Sequence, residues 1–413
     1  MKPMRSIILV VLLTLGLFML SSCTRTDAPS ESHSIAPSQS TDNTNDTPSA
    51  TARISFVSAG NEAGFYSVEE YDGHGIVAYI DYATQTQLPL CGRPECRHSD
   101  SSCTAYALVE NMSIPVLAVI NDKLVIMQTE VGSDTLPHIS IADLDGSNPQ
   151  LLCELDSNIS ISPQLYTDGA NLYALATVYS GSGSHLELYR FSLKDGSYES
   201  LCSFADGVNG MITSCFDMSL TLMFTRIDEE SGSVEDYAQV FHVDTNTLDD
   251  PVISLTGVSE EAYTIYNSTL ITLDTKDALT ATMTFTDLRT GSSVEYKTNA
   301  LLSASGMNSA TLNVFDLWDG WYRITLNGDG KFASFNVNPV TGEFFPMTLY
   351  YEDSMNVVLI FAESGNNLLV RAGWDETRDG TTLTNLKPIY ALISKDDYLH
   401  SVPNYTYIEG LDL

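Results

Sequence analysis

Basic residues are scarce in this chain: 19 Lys and Arg stand against 53 Asp and Glu, a formal net charge of −34. Such a surface repels nucleic acid and anionic lipid head groups, so no nucleic-acid partner is expected. Charged residues of both signs make up only 17% of the chain, below the usual quarter. Tyr, Thr, Ser and Val fill the gap, a composition that favours strands. Sustained i, i+3, i+4, i+7 patterns are missing beyond the first 20 or so residues, so helices are expected to be few. Long apolar runs are missing too, with one exception at Ile7 to Leu20. That run is shorter than the roughly 20 residues a transmembrane helix needs. There is no Gly-x-Ser-x-Gly elbow, no His-Glu-x-x-His helix and no Walker loop. The usual signatures of serine hydrolases, zinc proteases and nucleotide-binding enzymes are therefore lacking.

What is present begins with the N-terminus. Lys2 and Arg5 form a positive n-region, the apolar run follows, and Leu20-Ser21-Ser22-Cys23 closes it. This reads as a lipoprotein signal peptide over residues 1–22, cut before Cys23, whose thiol then carries a diacylglycerol. The expected location is the extracytoplasmic face of a cell membrane, with the lipid as the membrane contact. Residues 23–52 are rich in Ser, Thr, Pro, Asn and Asp and lack an apolar period. Such a stretch cannot bury enough surface to offset its ordering entropy, so it reads as a disordered tether.

A repeat organises residues 53–413. A tight turn recurs about every 50 residues, at Asn121-Asp122, Asp168-Gly169, Asp217-Met218, Asn267-Ser268, Asp319-Gly320 and Ser364-Gly365. Each turn is followed by a strand-like run, then an alternating run, then a polar turn and a short closing run. Four antiparallel strands at this period describe a propeller blade. A first, looser unit is expected from Ile54-Ser-Phe-Val, Phe65-Tyr-Ser-Val, Ile76-Val-Ala-Tyr-Ile and Gln87-Leu-Pro-Leu. The expected fold is all-β, a single seven-bladed β-propeller, with six or eight blades as the neighbouring solutions.

The lipobox, the polar tether and blades such as Asp168-Gly-Ala-Asn-Leu-Tyr resemble TolB-like propellers. They resemble more closely the uncharacterised propeller lipoproteins of clostridial bacteria, which carry a Cys-rich segment early in the chain. The segment matching it here is Leu90-Cys91-Gly-Arg-Pro-Glu-Cys96-Arg-His98-Ser-Asp-Ser-Ser-Cys103-Thr-Ala105. The resemblance implies a fold and a location and no established activity.

That segment, residues 91–105, is where chemistry rises above background. Cys91, Cys96, His98 and Cys103 supply three thiolates and an imidazole, a set that can close a tetrahedral zinc site. The alternative is disulfide formation, which an exported protein favours. The two readings make opposite demands on the same thiols. As a blade-to-blade connection, the segment is expected on the face that also carries the loops between second and third strands. Among the other cysteines, Cys202 and Cys215 are candidates for a staple between neighbouring blades.

Acidic residues expected on that same face are Asp228, Glu229, Glu230, Glu235, Asp236, Asp375, Glu376 and Asp379. Loops there are free of the ladder's geometry, which makes that face the expected binding surface. His74, His138, His185 and His242 are single and read as packing or surface residues. Trp318 and Trp321 flank a turn, where they can stack on a sugar or fill the rim. The leading functional expectation is a surface-tethered, non-enzymatic propeller that binds a protein, peptide or glycan. The alternative is an extracytoplasmic hydrolase using paired carboxylates at the channel.

Overall fold

The computed structural model describes residues 53–411, apart from 72–73, 94, 108–113, 130–135, 182, 206–207, 229–230, 258–260, 276, 352–356 and 380–381. The signal peptide, Cys23 and the tether lie outside the described residues, as do Glu229 and Glu230.

The repeat period materialises as seven antiparallel sheets. A short strand, β1 (Ser55–Phe56), precedes them. Blade one contains β2 (Gly64–Tyr71), β3 (His74–Asp81), β4 (Thr86–Pro89) and β5 (Tyr106–Ala107). Blade two contains β6 (Val116–Ile120), β7 (Lys123–Gln128), β8 (His138–Asp143) and β9 (Gln150–Glu154). Blade three has β10 (Ile159–Ile161), β11 (Tyr166–Thr167), β12 (Asn171–Ser180), β13 (Gly183–Ser192) and β14 (Tyr198–Ser203). Blade four has β15 (Val208–Phe216), β16 (Ser219–Ile227), β17 (Val234–His242), β18 (Thr247–Leu248) and β19 (Ile253–Thr256). Blade five has β20 (Ala262–Tyr266), β21 (Thr269–Leu273), β22 (Thr282–Asp287) and β23 (Ser293–Lys297), followed by a helix, α1 (Asn299–Ser305). Blade six has β24 (Thr311–Asp316), β25 (Tyr322–Gly328), β26 (Lys331–Val337) and β27 (Phe344–Met347). Blade seven has β28 (Leu359–Ser364), β29 (Asn367–Asp379), β30 (Thr382–Ser394), the helix α2 (Lys395–Leu399) and β31 (Thr406–Tyr407). The chain is thus a seven-bladed β-propeller.

The recurring turns work because their residues tolerate the left-handed region. Asn121 and Asp122 have φ of 49° and 58°, the pair of positive angles that a two-residue hairpin with the right twist requires. Asp319 and Gly320 repeat it at 51° and 77°. All these turns lie on one face of the ring, here termed the turn face. The opposite, loop face carries the connections from second to third strands and from blade to blade.

Packing follows the same period. Seven buried apolar clusters fill the seven wedges between neighbouring blades. The wedge between blades three and four holds Leu188, Leu220, Leu222, Phe224 and Phe241, each at most 1% exposed. Among the described residues, the wedge between blades four and five has the fewest buried members, Ala238, Ile265 and Leu270.

The ring closes between blades seven and one. Phe65 and Ile80 pack on Leu369, Tyr390 and Ile408. Beyond β31 the chain continues onto blade one, where Glu409 lies parallel to Thr86 and exchanges backbone hydrogen bonds with Gln85 and Gln87.

The first unit departs from expectation. Ile54 to Val57 was expected as the first strand of blade one. Instead β1 pairs with β11 of blade three, with Ser55 opposite Thr167 and Phe56 opposite Tyr166. The Ile54 N–H donates to Asp217 O of blade four, and the Val119 N–H of blade two donates to Ser58 O. The chain meets β2 only from Ala59 to Asn61. Residues 54–60 therefore form a strap over the inner strands of blades four, three, two and one. The reason is apolar. Ile54 is buried in the wedge between blades three and four, and Val57 in the wedge between blades two and three. Staying in blade one would have placed neither in a wedge between those blades.

Candidate metal centre

The Cys/His segment grows out of blade one's outermost strand. β4 pairs with β3 at Ala78–Asp81, and β5 resumes the pairing at Gly75 and Ile76. The Leu90 N–H donates to Val77 O and the Val77 N–H to Ala105 O, so the chain leaves and rejoins the sheet at the same level. The segment is thus an insertion within one edge strand. This corrects its expected place as the link from blade one to blade two. An edge strand has one unpaired side, so it can be interrupted without breaking the ladder behind it.

The root of the insertion is packed. Cys103 and Ala105 are 5% and 0% exposed, in a cluster with Leu117 and Leu124 of blade two. From this root the chain folds back on itself. Cys96 N–H donates to Arg93 O, Cys103 N–H to Asp100 O and Tyr106 N–H to Cys103 O. The Asp100 carboxylate accepts from the Ser102 N–H at 2.9 Å, and Thr104 Oγ1 donates to Leu90 O at 2.7 Å. His98 takes φ of 53°, the left-handed region that costs a non-glycine residue about 1 kcal/mol or more. That conformation turns its ring inward, with Nδ1 3.2 Å from Cys103 Sγ.

The result is convergence. The three sulfurs and the imidazole nitrogen all lie within 4.8 Å of one another. A tetrahedral zinc with Zn–S bonds of 2.3 Å would place sulfurs about 3.8 Å apart, so a contraction of no pair by more than about 1 Å completes the geometry. The donor set fits a soft or borderline divalent ion, and it leaves no coordination position open. This cluster can hold a metal.

The surroundings serve the ligands. His74, expected to be an unremarked single histidine, donates from Nε2 to the His98 carbonyl at 2.9 Å and stacks on Tyr106 at 5.4 Å. The Ala105 N–H donates to Cys103 Sγ at 3.3 Å. Burial raises the Cys91 thiol, but the Arg93 N–H and guanidinium, with Cys103 and Cys96, bring it down to about 7. Burial holds Cys103 up at about 11, opposed by the Ala105 N–H. Outside the cluster, burial pushes Cys202 up, Cys153 to about 11 and Cys215 to about 12, which makes them inert.

No disulfide joins the six described cysteines. The staple considered between Cys202 and Cys215 does not form. Cys202 sits on the outer strand β14 and Cys215 on the inner strand β15, about 14 Å apart radially at three strand spacings.

The expected acidic surface resolves into different roles. Asp228 accepts from Ser231 N–H and Oγ within its own turn. Glu235 and Asp236 lie in β17, where Glu235 pairs with Arg226 and accepts from Ser254 Oγ, and Asp236 accepts from Thr225 Oγ1. Asp375, Glu376 and Asp379 belong to β29, not to a loop, because β29 and β30 run on as a 13-residue hairpin. Cross-strand pairing thus accounts for Glu235 and Asp236. Trp318 is 4% exposed and packs on Tyr398, while Trp321 stacks on Phe345 at 5.6 Å.

Two groups escaped sequence reasoning. Ser219 Oγ lies 2.9 Å from His242 Nδ1, and His242 Nε2 lies 2.8 Å from Asp249 Oδ2. The order is that of a nucleophile, base and orienting acid. Ser219, however, is 5% exposed in the wall of blade four. The chain of bonds instead ties the ends of three strands. The second group is Asp316, 7% exposed, which accepts from Asn267 Nδ2 at 3.1 Å. Burial, with the Glu363 carboxylate nearby, pushes its carboxyl up to about 7, although Leu317 N–H and Asn267 oppose the rise.

No protein-family model matches this chain, and comparison with curated proteins gives no match. Similar solved structures are propellers. An oligogalacturonate lyase in complex with manganese is 10% identical over 81% of this chain and 86% of its own, with a TM-score of 0.47. TolB from Acinetobacter baumannii is 15% identical over 81% and 76%, with a TM-score of 0.35. A Mycobacterium tuberculosis puromycin-hydrolyzing peptidase is 12% identical over 87% of this chain and 53% of its own, with a TM-score of 0.49. At such identities the likeness concerns the fold alone. No helix among the described residues is long and apolar enough to cross a membrane.

Proposed function

We propose that this protein is a lipid-tethered extracytoplasmic propeller that binds a protein or glycan partner, and that its Cys91/Cys96/His98/Cys103 centre is a structural zinc site. It would then be a lipoprotein of the clostridial type that the sequence resembles. The observation that carries the reading is the closed donor set. Four protein ligands leave no position for substrate or water, which is the mark of a structural zinc rather than a catalytic one. Zinc there would hold the insertion against blades one and two, giving one sector of the rim a fixed shape.

The strap supports the orientation. Ile54 is bonded to Asp217 in a hairpin turn, so the N-terminal end of the strap lies at the turn face. The 30 residues from Cys23 to Ala52 give a flexible reach of roughly 30 Å. The loop face, with the long blade-seven hairpin, is then presented away from the membrane. We assign partner binding to that face.

The test uses the intact lipidated protein in membranes. Photo-crosslinkers at Ser231 and Asp375 sample the loop face, and those at Asp168 and Asp319 the turn face. Capture of one defined partner from the loop-face positions is expected, and Cys23→Ser should release the protein from the membrane. Equal capture from both faces would overturn the docking assignment. Turnover of oligosaccharides or peptides by the purified ring would favour the hydrolase instead.

A further inference from the structure

Arg93 lies beside the centre without being one of its ligands. Its guanidinium donates to Cys96 Sγ at 3.3 Å and to the Ser102 carbonyl at 2.7 Å. Ser102 immediately precedes Cys103, so one planar group joins the first half of the insertion to the second. Its charge has a partner to meet. A divalent ion with three thiolates and a neutral imidazole carries a net charge of −1, and the chain around it is already strongly acidic. A guanidinium stays charged at every accessible pH, and here the Nη2 arm of its rigid fork serves a sulfur and an oxygen at once. Groups beyond the ligands that fix them in this way typically change metal affinity 10- to 100-fold.

We propose that Arg93 is the positioning residue of this centre, neutralising the metal–trithiolate charge and clasping Cys96 to the Ser102–Cys103 turn so that the metal is released slowly. The proposal rests on the zinc reading above. The clasp explains why an insertion with an exposed surface can still hold its ligands together. Release requires the loop to open between Cys96 and Cys103, and the guanidinium spans that opening. Lysine would keep the charge but lose the fork. Glutamine would keep hydrogen-bond donors but lose the charge.

The experiment compares wild type, Arg93→Gln and Arg93→Lys in the full folded chain. Zinc transfer to an excess of a coloured chelator is followed, and the cobalt-substituted forms are examined by absorption. Wild type should hold about one zinc per chain. Arg93→Gln should release it about tenfold faster, with Arg93→Lys between the two. The sulfur-to-cobalt charge-transfer band should move to lower energy in Arg93→Gln, because a sulfur that faces a neutral amide in place of a cationic donor becomes a better electron donor. A purely structural defect would change the circular dichroism and leave that band in place. Zinc-loaded wild type with an Arg93→Gln release rate within twofold of it, and an unshifted band, would overturn the role of Arg93 alone. Wild type without metal would overturn the zinc reading and this inference together.

Discussion

Asp316→Asn should stabilise the propeller at neutral and alkaline pH. Asp316 is enclosed near the turn face, with the Glu363 carboxylate nearby and Tyr266 and Tyr322 within electrostatic reach. Glu363 itself pairs with Lys395 at 2.6 Å. The Asp316 carboxyl is raised to about 7 in the folded state, against about 3.9 in an unfolded chain. The folded state therefore favours the protonated acid. Asp316 contributes no penalty below about pH 4, and stability is lost as pH rises towards 7, where the folded carboxyl ionises. Three units correspond to an upper bound of about 4 kcal/mol. Asparagine cannot ionise, and its side-chain oxygen can still accept from Asn267. Urea unfolding of wild type and variant at pH 4, 6 and 8 would measure the difference. The variant should gain up to a few kcal/mol at pH 8 and nothing, or a small loss, at pH 4. Equal destabilisation at all three values would refute the reasoning, because it would mean that Asp316 is needed as a charge.

Ile54→Ala should cost about 2–4 kcal/mol, a core-like penalty for a residue outside any blade, because its side chain fills the wedge between blades three and four. A loss below about 0.5 kcal/mol in urea unfolding would mean that the strap is dispensable. Gly196→Ala should be worse than a turn substitution usually is. Its φ is +72°, and a Cβ there would stand 1.8 Å from the Leu152 carbonyl of blade two. A loss of about 3 kcal/mol or more is expected, and a variant with unchanged thermal stability would show that the two blades do not meet there.

Much of this architecture is legible from residues. The hairpin turns announce themselves because Asn, Asp and Gly are the residues that accept positive φ, and they recur at the blade period. The cysteines and His98 are legible as a ligand set because the four fall within one short segment. Their position in the blade is not. β5 is only two residues long, Tyr106 and Ala107, and no pattern marks it as the resumption of an interrupted strand. The strap is hidden for a different reason. Ile54-Ser-Phe-Val alternates as any strand does, and its partners lie over 100 residues away in blade three. Arg93 and His74 matter through contacts that only the folded loop creates. The acidic residues of β17 and β29 misled because long hairpins carry strand geometry beyond the ring, where charge resembles that of a loop.

The central claim is that blade one's edge strand is interrupted by a closed metal centre. Its most direct test is the metal and thiol content of the full-length protein prepared without oxidation. About one zinc per chain is expected, with Cys91, Cys96 and Cys103 free once the metal is removed under denaturing, anaerobic conditions. His98→Ala should lower the occupancy, and chelation should expose residues 91–105 to protease while the blades keep their strand signal. A metal-free protein with native disulfides among Cys91, Cys96 and Cys103 would contradict the account.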